Sequence, residues 1–138
     1  HIVRHSGRIG EQDFREALEA AHLLKGFSLA QQSLADLSQV ESLDFDACEL
    51  RNSAGIVEDH TVGDAPYRSA VWAPGDAAFG VAQMFQQIAD SKPSMEIAVF
   101  RGASESMDWL GLGERSYAQL AAGIAFVDLT TLREQLEN

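Results

Sequence analysis

Apolar residues along the chain alternate between short β-branched runs and longer stretches in which they recur every three or four positions. Three runs are typical of strands: residues 2–9 (IVRHSGRI), 67–73 (YRSAVWA) and 95–100 (MEIAVF). Residues 11–25 place their apolar side chains on one helical stripe, with acidic residues in the first turn and Gly26 as a C-terminal stop. The pattern therefore predicts strands and helices in succession.

The segment that follows the first helix is less regular. Residues 31–38 (QQSLADLS) form a short apolar run, which we interpret as the central strand, ending at Ser38. Asp46 followed three residues later by Glu49 is a variant of the capping box that begins a helix. We favour a helix here, although AGIV is also compatible with a strand fragment. The residues that share one stripe of this helix are Ala47, Leu50, Ala54 and Val57.

The stretch SAVWAPGDAAFG, residues 69–80, marks a corner between a strand and a helix. Pro74 interrupts strand pairing, Gly75 relieves the turn, and the Asp76 carboxylate is expected to accept hydrogen bonds from backbone N–H groups at the start of the helix. That helix is predicted to run to Asp90. The corner is therefore explained by its structural role alone.

The alternation continues to a short helix at residues 104–110, which Gly111 ends. Strands and helices in alternation require crossover connections, which are right-handed and make successive strands parallel. We therefore predict an α/β fold with a four- or five-stranded, mostly parallel mixed sheet and crossover helices.

Residues 112–138 follow a less definite pattern. Residues 117–122 and 131–136 have helical spacing, whereas GIAFVD at 123–128 is compatible with a strand or a loop. We therefore predict one α/β domain over residues 1–111, and a C-terminal helical appendage packed on it or beside it.

The charge balance limits the classes of partner. The chain has 21 acidic and 10 basic residues, a formal net charge of −11, which opposes approach to nucleic acid and favours a basic protein partner. No apolar run approaches the roughly 20 residues that span a bilayer. Cys48 is the single cysteine and no signal-peptide pattern is visible, so we expect a soluble, cytoplasmic protein. Because the chain begins at His1 inside a predicted strand, we expect an N-terminus that is processed, trimmed or disordered upstream.

Residues 67–110 contain several motifs: an apolar strand, an AP-x-D-x-x-FG corner, a helix containing MF, a strand ending in VFR, and a terminal WL. With SGRIGEQDFREAL and LADLS upstream, residues 2–111 resemble the small bacterial proteins similar to the sporulation anti-anti-sigma factor, within the STAS fold (sulfate transporter and anti-sigma antagonist). The resemblance implies a four- or five-stranded mixed sheet with helices mostly on one side. For characterised STAS relatives it also implies binding to partner proteins, sometimes switched by serine phosphorylation.

The chain departs from those relatives where their switch serine lies, at the start of the helix after the central strand. Residues 41–50 read ESLDFDACEL, with Asp44 and Asp46 where the serines are expected. Only Ser38 and Ser42 are near, and the two carboxylates would repel a phosphate at this helix start. We therefore do not predict a phosphorylation switch, but we retain both serines as candidate binding residues.

Residues suited to catalysis or metal binding do not form a recognisable site. The four histidines are scattered, and the EDH run at residues 58–60 points its side chains in different directions. Asp44, Asp46 and Glu49 lack the glycine and the later bidentate Glu of a calcium loop. Cys48 has no nucleophile motif around it. We therefore predict no enzymatic activity, no metal and no cofactor.

The helix that starts at Asp76 places Phe79 and Met84 on opposite flanks of its apolar stripe. We retain these three residues as candidate binding residues, because a flanking aromatic and a thioether are typical of partner surfaces and of apolar ligand grooves as well as of a widened core.

The first hypothesis is a non-enzymatic regulatory or protein-interaction module, with a homodimer as one option. The alternative is a module that binds a lipid or another apolar small molecule between the sheet and the helices predicted to start at Asp44 and Asp76. A sizeable apolar cavity favours the alternative, and a fully packed core excludes it.

Overall fold

Strands and helices alternate along the part of the chain that the structure describes. The computed structural model describes residues 2–22, 32–60, 67–112 and 126–128. In chain order the elements are β1 (Ile2–Gly10), α1 (Glu11–His22), β2 (Ser33–Asp44), α2 (Ala47–His60), β3 (Tyr67–Trp72), α3 (Asp76–Ala89), β4 (Met95–Phe100), α4 (Ala103–Trp109) and β5 (Phe126–Asp128). The prediction of an α/β fold is confirmed.

The strands form one sheet in the order β4-β3-β2-β1-β5, and every neighbouring pair is parallel. The described sheet is therefore parallel throughout and not mixed, because a helix separates each of the first four strands from the next and returns the chain to the same end of the sheet. From β1 to β4 the chain moves one strand at a time in one direction. Right-handed crossovers then place α1, α2 and α3 on the same face.

Each face of the sheet carries its own hydrophobic core, because successive strand residues point to opposite faces. The larger core joins the sheet to α1, α2 and α3; its buried members include Leu18, Leu37, Val57, Val71, Ala82 and Ile97. The smaller core joins the opposite face to α4 and consists of Leu34, Ala70, Met107 and Leu110. The large helical layer on one face is what positions the candidate site.

β2 is longer than the central strand predicted at residues 31–38, and it runs to Asp44. Its second half pairs with β1 as far as the partners Gly10 and Asp44. This pairing contains two register shifts, and Gly7 adopts a φ of 76°, a left-handed conformation that suits glycine because it has no Cβ. These irregularities disturb the alternation of polar and apolar residues, so the pattern ended the predicted strand too early.

The start of α2 follows the predicted capping box. The Glu49 N–H donates to Asp46 Oδ1 at 2.7 Å, and the Asp46 N–H donates to Glu49 Oε1 at 3.1 Å. The pair satisfies backbone donors that have no partner within the helix. The helical interpretation of this segment is confirmed.

The start of α3 differs from the prediction. Gly75 is the N-cap residue and makes no side-chain cap hydrogen bond, while Asp76 is the first residue of the helix. The Asp76 carboxylate accepts a hydrogen bond from Arg101 Nη1 at 2.5 Å. The prediction that Asp76 caps the helix is therefore wrong, because its carboxylate is engaged by a residue that follows β4.

Some predictions near the two ends of the chain lie outside the described residues. α1 is described as far as His22, so its predicted end at Lys25 lies beyond them. The helices predicted at residues 117–122 and 131–136 lie outside them as well. Within the predicted appendage, Phe126–Asp128 form β5 and pair with β1. At least this short segment belongs to the main sheet.

Candidate functional site

A cavity of about 150 Å³ lies between the sheet and the three helices that cover its larger core. β1 to β4 form one wall, and α1, α2 and α3 form the other. The wall is mostly aliphatic and aromatic; its apolar members include Ile9, Phe14, Leu18, Leu43, Phe45, Leu50, Val57, Val81, Phe85 and Ile97. No Asp, Glu, Lys or Arg is among the described residues that line the cavity.

Small side chains on facing walls leave this space unfilled. Ala35 lies in β2, in register with Val3 on one side and Val71 on the other, and all three line the cavity. Ala82 lines it from α3. Protein interiors are otherwise packed as densely as organic crystals, so the cavity follows from alanine at positions where a larger residue would occupy the space.

Three hydroxyl groups lie together where β2 and β3 begin. Ser33 and Ser69 are register partners in adjacent strands, and Tyr67 is the first residue of β3. Ser33 Oγ donates to Ser69 Oγ at 3.1 Å and lies 2.8 Å from the Tyr67 hydroxyl oxygen. All three line the cavity. We call these three residues the hydroxyl cluster.

The hydroxyl cluster is uncharged at neutral pH. Burial raises the pKa of the Tyr67 phenol above its ordinary value, because desolvation disfavours the phenolate. Hydrogen bonds to Ser33 and Ser69 act in the opposite direction and offset only part of this effect. Tyr67 therefore keeps its proton and acts as a hydrogen-bonding group, not as a base.

Two further polar side chains line the cavity from other elements. Ser53, on α2, is 2% exposed, and its Oγ has no hydrogen-bond partner among the described residues. His5, on β1, is also buried. A largely apolar wall with a few polar groups is the composition typical of small-molecule sites in proteins.

The site residues predicted from the sequence do not line this cavity. Ser38 is exposed, and its N–H and Oγ donate to Asp36 Oδ1 at 2.9 and 2.6 Å. Ser42 is half-buried, and its Oγ has no partner among the described residues. Both serines lie within β2, and neither lies at a helix start, where a STAS switch serine is expected.

None of the three predicted residues on α3 lines the cavity. Phe79 is half-buried beneath the Arg101 guanidinium, whose central carbon is 4.3 Å from the ring centre. Asp76 pairs with the same arginine. Met84 is 43% exposed, and among the described residues it is the one large hydrophobic side chain that is exposed to solvent. The structure thus brings Asp76 and Phe79 together and leaves Met84 apart, and their role in binding stays a prediction.

Sequence reasoning missed the hydroxyl cluster and Ser53. One signal was available, because Tyr67, Ser69 and Val71 alternate along a predicted strand and therefore share one face. No local signal brings Ser33 beside Ser69. The two serines are 36 residues apart, and their contact depends on the register between two strands.

In the part of the chain that the structure describes, no three side chains of His, Cys, Asp or Glu are grouped as metal ligands. None of the helices described combines the length and the apolar character needed to cross a membrane. No family model, curated protein or solved structure matches the chain. The resemblance to the STAS fold and the prediction that the protein is not an enzyme therefore stay predictions.

Proposed function

We propose that this protein binds a small apolar molecule in the cavity between the sheet and α1, α2 and α3. The observation that carries the proposal is the cavity itself, about 150 Å³ of space with a wall of aliphatic and aromatic side chains. A fully packed core would have excluded this function. The second hypothesis from the sequence expects a ligand between the sheet and the helices predicted to start at Asp44 and Asp76, and the cavity is lined by the sheet and by both of these helices.

The volume of the cavity limits the size of the ligand. Apolar cavities of about 150 Å³ stay free of water and hold molecules the size of benzene. Sites for drug-sized ligands have about 300–1,000 Å³. We therefore expect a single ring or a short aliphatic chain, and a lipid with a long acyl chain fits a space of this volume less well.

Binding of benzene and toluene tests the proposal directly. Both are expected to raise the Tm of the wild-type protein with increasing concentration, because a ligand that binds only the folded state stabilises it by mass action. Ala82→Leu fills the cavity from α3 and is expected to abolish this rise, at a stability cost of about 1–3 kcal/mol if it overpacks. Ala77→Leu, at an exposed position of the same helix, is the matched control and should retain the rise. A wild-type protein that binds neither hydrocarbon contradicts the proposal.

The net charge of −11 and the exposed Met84 favour a second role. In this role the protein is a non-enzymatic regulatory or interaction module, as the resemblance to the STAS fold implies, with a basic protein or a second copy of the chain as partner. Sedimentation over a range of concentrations tests self-association. A monomer at every concentration excludes the homodimer, and Met84→Glu should dissociate a dimer that forms through α3.

A further inference from the structure

Ser53 is the one polar residue among the described residues that α1, α2 and α3 contribute to the cavity wall. It lies on α2 between Leu50 and Val57, which also line the cavity and are 3% and 4% exposed. Residues three and four positions apart share one face of a helix. A serine therefore occupies a position of the buried helical stripe where an apolar residue is expected.

The Ser53 hydroxyl has no hydrogen-bond partner among the described residues, although Ser53 is only 2% exposed. A serine within a helix often donates to the backbone carbonyl oxygen four residues earlier, and Ser53 Oγ makes no such bond. Polar groups at this depth nearly always have a partner. The hydroxyl cluster differs, because Tyr67 is hydrogen-bonded to Ser33 and to Ser69, and Ser33 donates to Ser69.

The cavity beside Ser53 is the place from which a partner can reach this hydroxyl. A buried water molecule typically makes about three hydrogen bonds, and Ser53 is the one lining group that is shown without a partner in the described part of the chain. A ligand needs only one polar atom there, because its hydrocarbon part fills the apolar space. A ligand is therefore a better partner for Ser53 than water.

The number of hydrogens selects the polar group of the ligand. The Ser53 hydroxyl carries one hydrogen, and a carbonyl oxygen takes it without bringing another. A ligand hydroxyl brings a second hydrogen, and one of the two then stays unused within the pair. Because a buried donor without an acceptor is costly, a ligand with an acceptor and no donor is favoured.

The composition of the wall selects the charge of the ligand. A carboxylate would lose its hydration without meeting a Lys or Arg among the described lining residues, and an ammonium group would meet no Asp or Glu there. Both transfers are costly. His5, on the sheet side, is the one described lining residue that is able to carry a positive charge. A neutral ligand is therefore favoured.

We propose that the cavity binds a small neutral ketone or a similar acceptor compound, with a single ring or a short chain, whose oxygen accepts a hydrogen bond from Ser53 Oγ. This inference rests on the proposed binding of apolar molecules and adds the polar group of the ligand to it. Ser53 orients the ligand, because its oxygen must face α2 while its hydrocarbon part faces the rest of the wall.

Two ligands of almost the same shape test the inference separately from the function on which it rests. Cyclohexanone and methylenecyclohexane differ by the replacement of C=O with C=CH₂. Because water solvates the ketone more strongly, the informative quantity is the change in each affinity that Ser53→Ala causes. The variant is expected to weaken cyclohexanone binding about three- to tenfold, the effect of one neutral hydrogen bond, and to leave methylenecyclohexane binding unchanged. Titrations followed by NMR chemical shifts measure both affinities.

The outcomes distinguish the two proposals. An equal effect of Ser53→Ala on both ligands, or binding of methylenecyclohexane alone, would overturn the inference and leave the apolar cavity function intact. Binding of neither ligand would contradict both. A larger loss for cyclohexanol than for cyclohexanone would overturn the choice of a ligand without a donor. Tighter binding of cyclohexanecarboxylate than of cyclohexanone would overturn the neutral ligand.

Ser106→Ala is the matched control. It removes a buried hydroxyl of α4, on the opposite face of the sheet, that donates to the Gly102 carbonyl oxygen at 2.9 Å. This variant should leave both affinities unchanged and lower the Tm, because it breaks an existing hydrogen bond. Without ligand, Ser53→Ala should leave the Tm unchanged or raise it. A fall as large as that of Ser106→Ala would show that Ser53 already has a partner within the protein and would overturn the inference.

Discussion

The side chain of Asp36 is a fully buried carboxylate in the middle of the sheet. Arg4 Nε, from the register partner on β1, lies 3.2 Å from Asp36 Oδ2, while the Ser38 N–H and hydroxyl donate to Oδ1. Both carboxylate oxygens are therefore engaged, which offsets part of the free energy lost when the charge leaves water. The pair joins two central strands at a point where an uncompensated charge would be costly.

Removing the arginine should therefore destabilise the fold. Arg4→Ala is expected to lower the free energy of unfolding by about 2–3 kcal/mol. This loss is at or below the low end of the range for breaking a buried salt bridge, because the Arg4 side chain is 25% exposed. Arg8→Ala is the matched control, because Arg8 pairs with Asp44 between the same two strands but on the surface. That variant should cost less than about 1 kcal/mol. Urea unfolding measures both, and equal losses would show that the buried carboxylate does not depend on Arg4.

At the scale of single elements, α2 and α3 begin in different ways. α2 has a reciprocal capping box between Asp46 and Glu49, whereas α3 begins after Gly75 without a side-chain cap. Both helices have an acidic residue in the first turn, where the helix dipole favours negative charge. The two helix starts therefore differ in whether the acidic side chain accepts a hydrogen bond from the helix backbone, and not in charge alone.

The two aspartates at these helix starts provide a direct test. Asp46→Ala is expected to cost about 1 kcal/mol, because it removes the acceptor for the Glu49 N–H. Asp76→Ala should cost less, because the Asp76 carboxylate is largely exposed and pairs with Arg101 on the surface. Chemical denaturation of the two variants measures the difference. A larger loss for Asp76→Ala would indicate that the surface pair outweighs the cap.

In the whole molecule, the two faces of the sheet have different roles. The face covered by α1, α2 and α3 contains the cavity, and the other face packs against α4. Arg68 of β3 makes two contacts with Trp109 of α4. Its guanidinium carbon lies 3.9 Å from the centre of the Trp109 ring, and its Nη2 donates to the Trp109 carbonyl oxygen at 3.1 Å. β5 lies at the opposite edge from β4 and pairs with β1.

The position of β5 predicts that the C-terminal segment contributes to the stability of the sheet. A chain that ends after Leu112 lacks β5 and is expected to lose about 2 kcal/mol, because backbone hydrogen bonds between strands contribute about 1 kcal/mol each. Amide hydrogen exchange in β1 should become faster in the shortened chain. Unchanged stability and unchanged exchange would instead support an appendage that is independent of residues 1–111.

Local pattern alone predicted much of the fold. The strand pattern at residues 67–73 and 95–100 corresponds to β3 and β4 within one residue, and the helix predicted from Asp76 to Asp90 corresponds to α3. The capping box at Asp46 also agrees with the structure. These features depend on neighbours only a few residues away, through side-chain periodicity and backbone capping.

The sequence by itself thus determined which segments are strands and helices and that they alternate. Only the tertiary structure decided that the polar second half of β2 is a strand, because pairing with β1 outweighs its weak local pattern. The tertiary structure also decided that Ser33 meets Ser69 and that space remains between the sheet and its helices. Strand register determines the contact between Ser33 and Ser69, and the fit between side-chain volumes on separate elements determines the cavity. Neither feature is encoded in the periodicity of one segment.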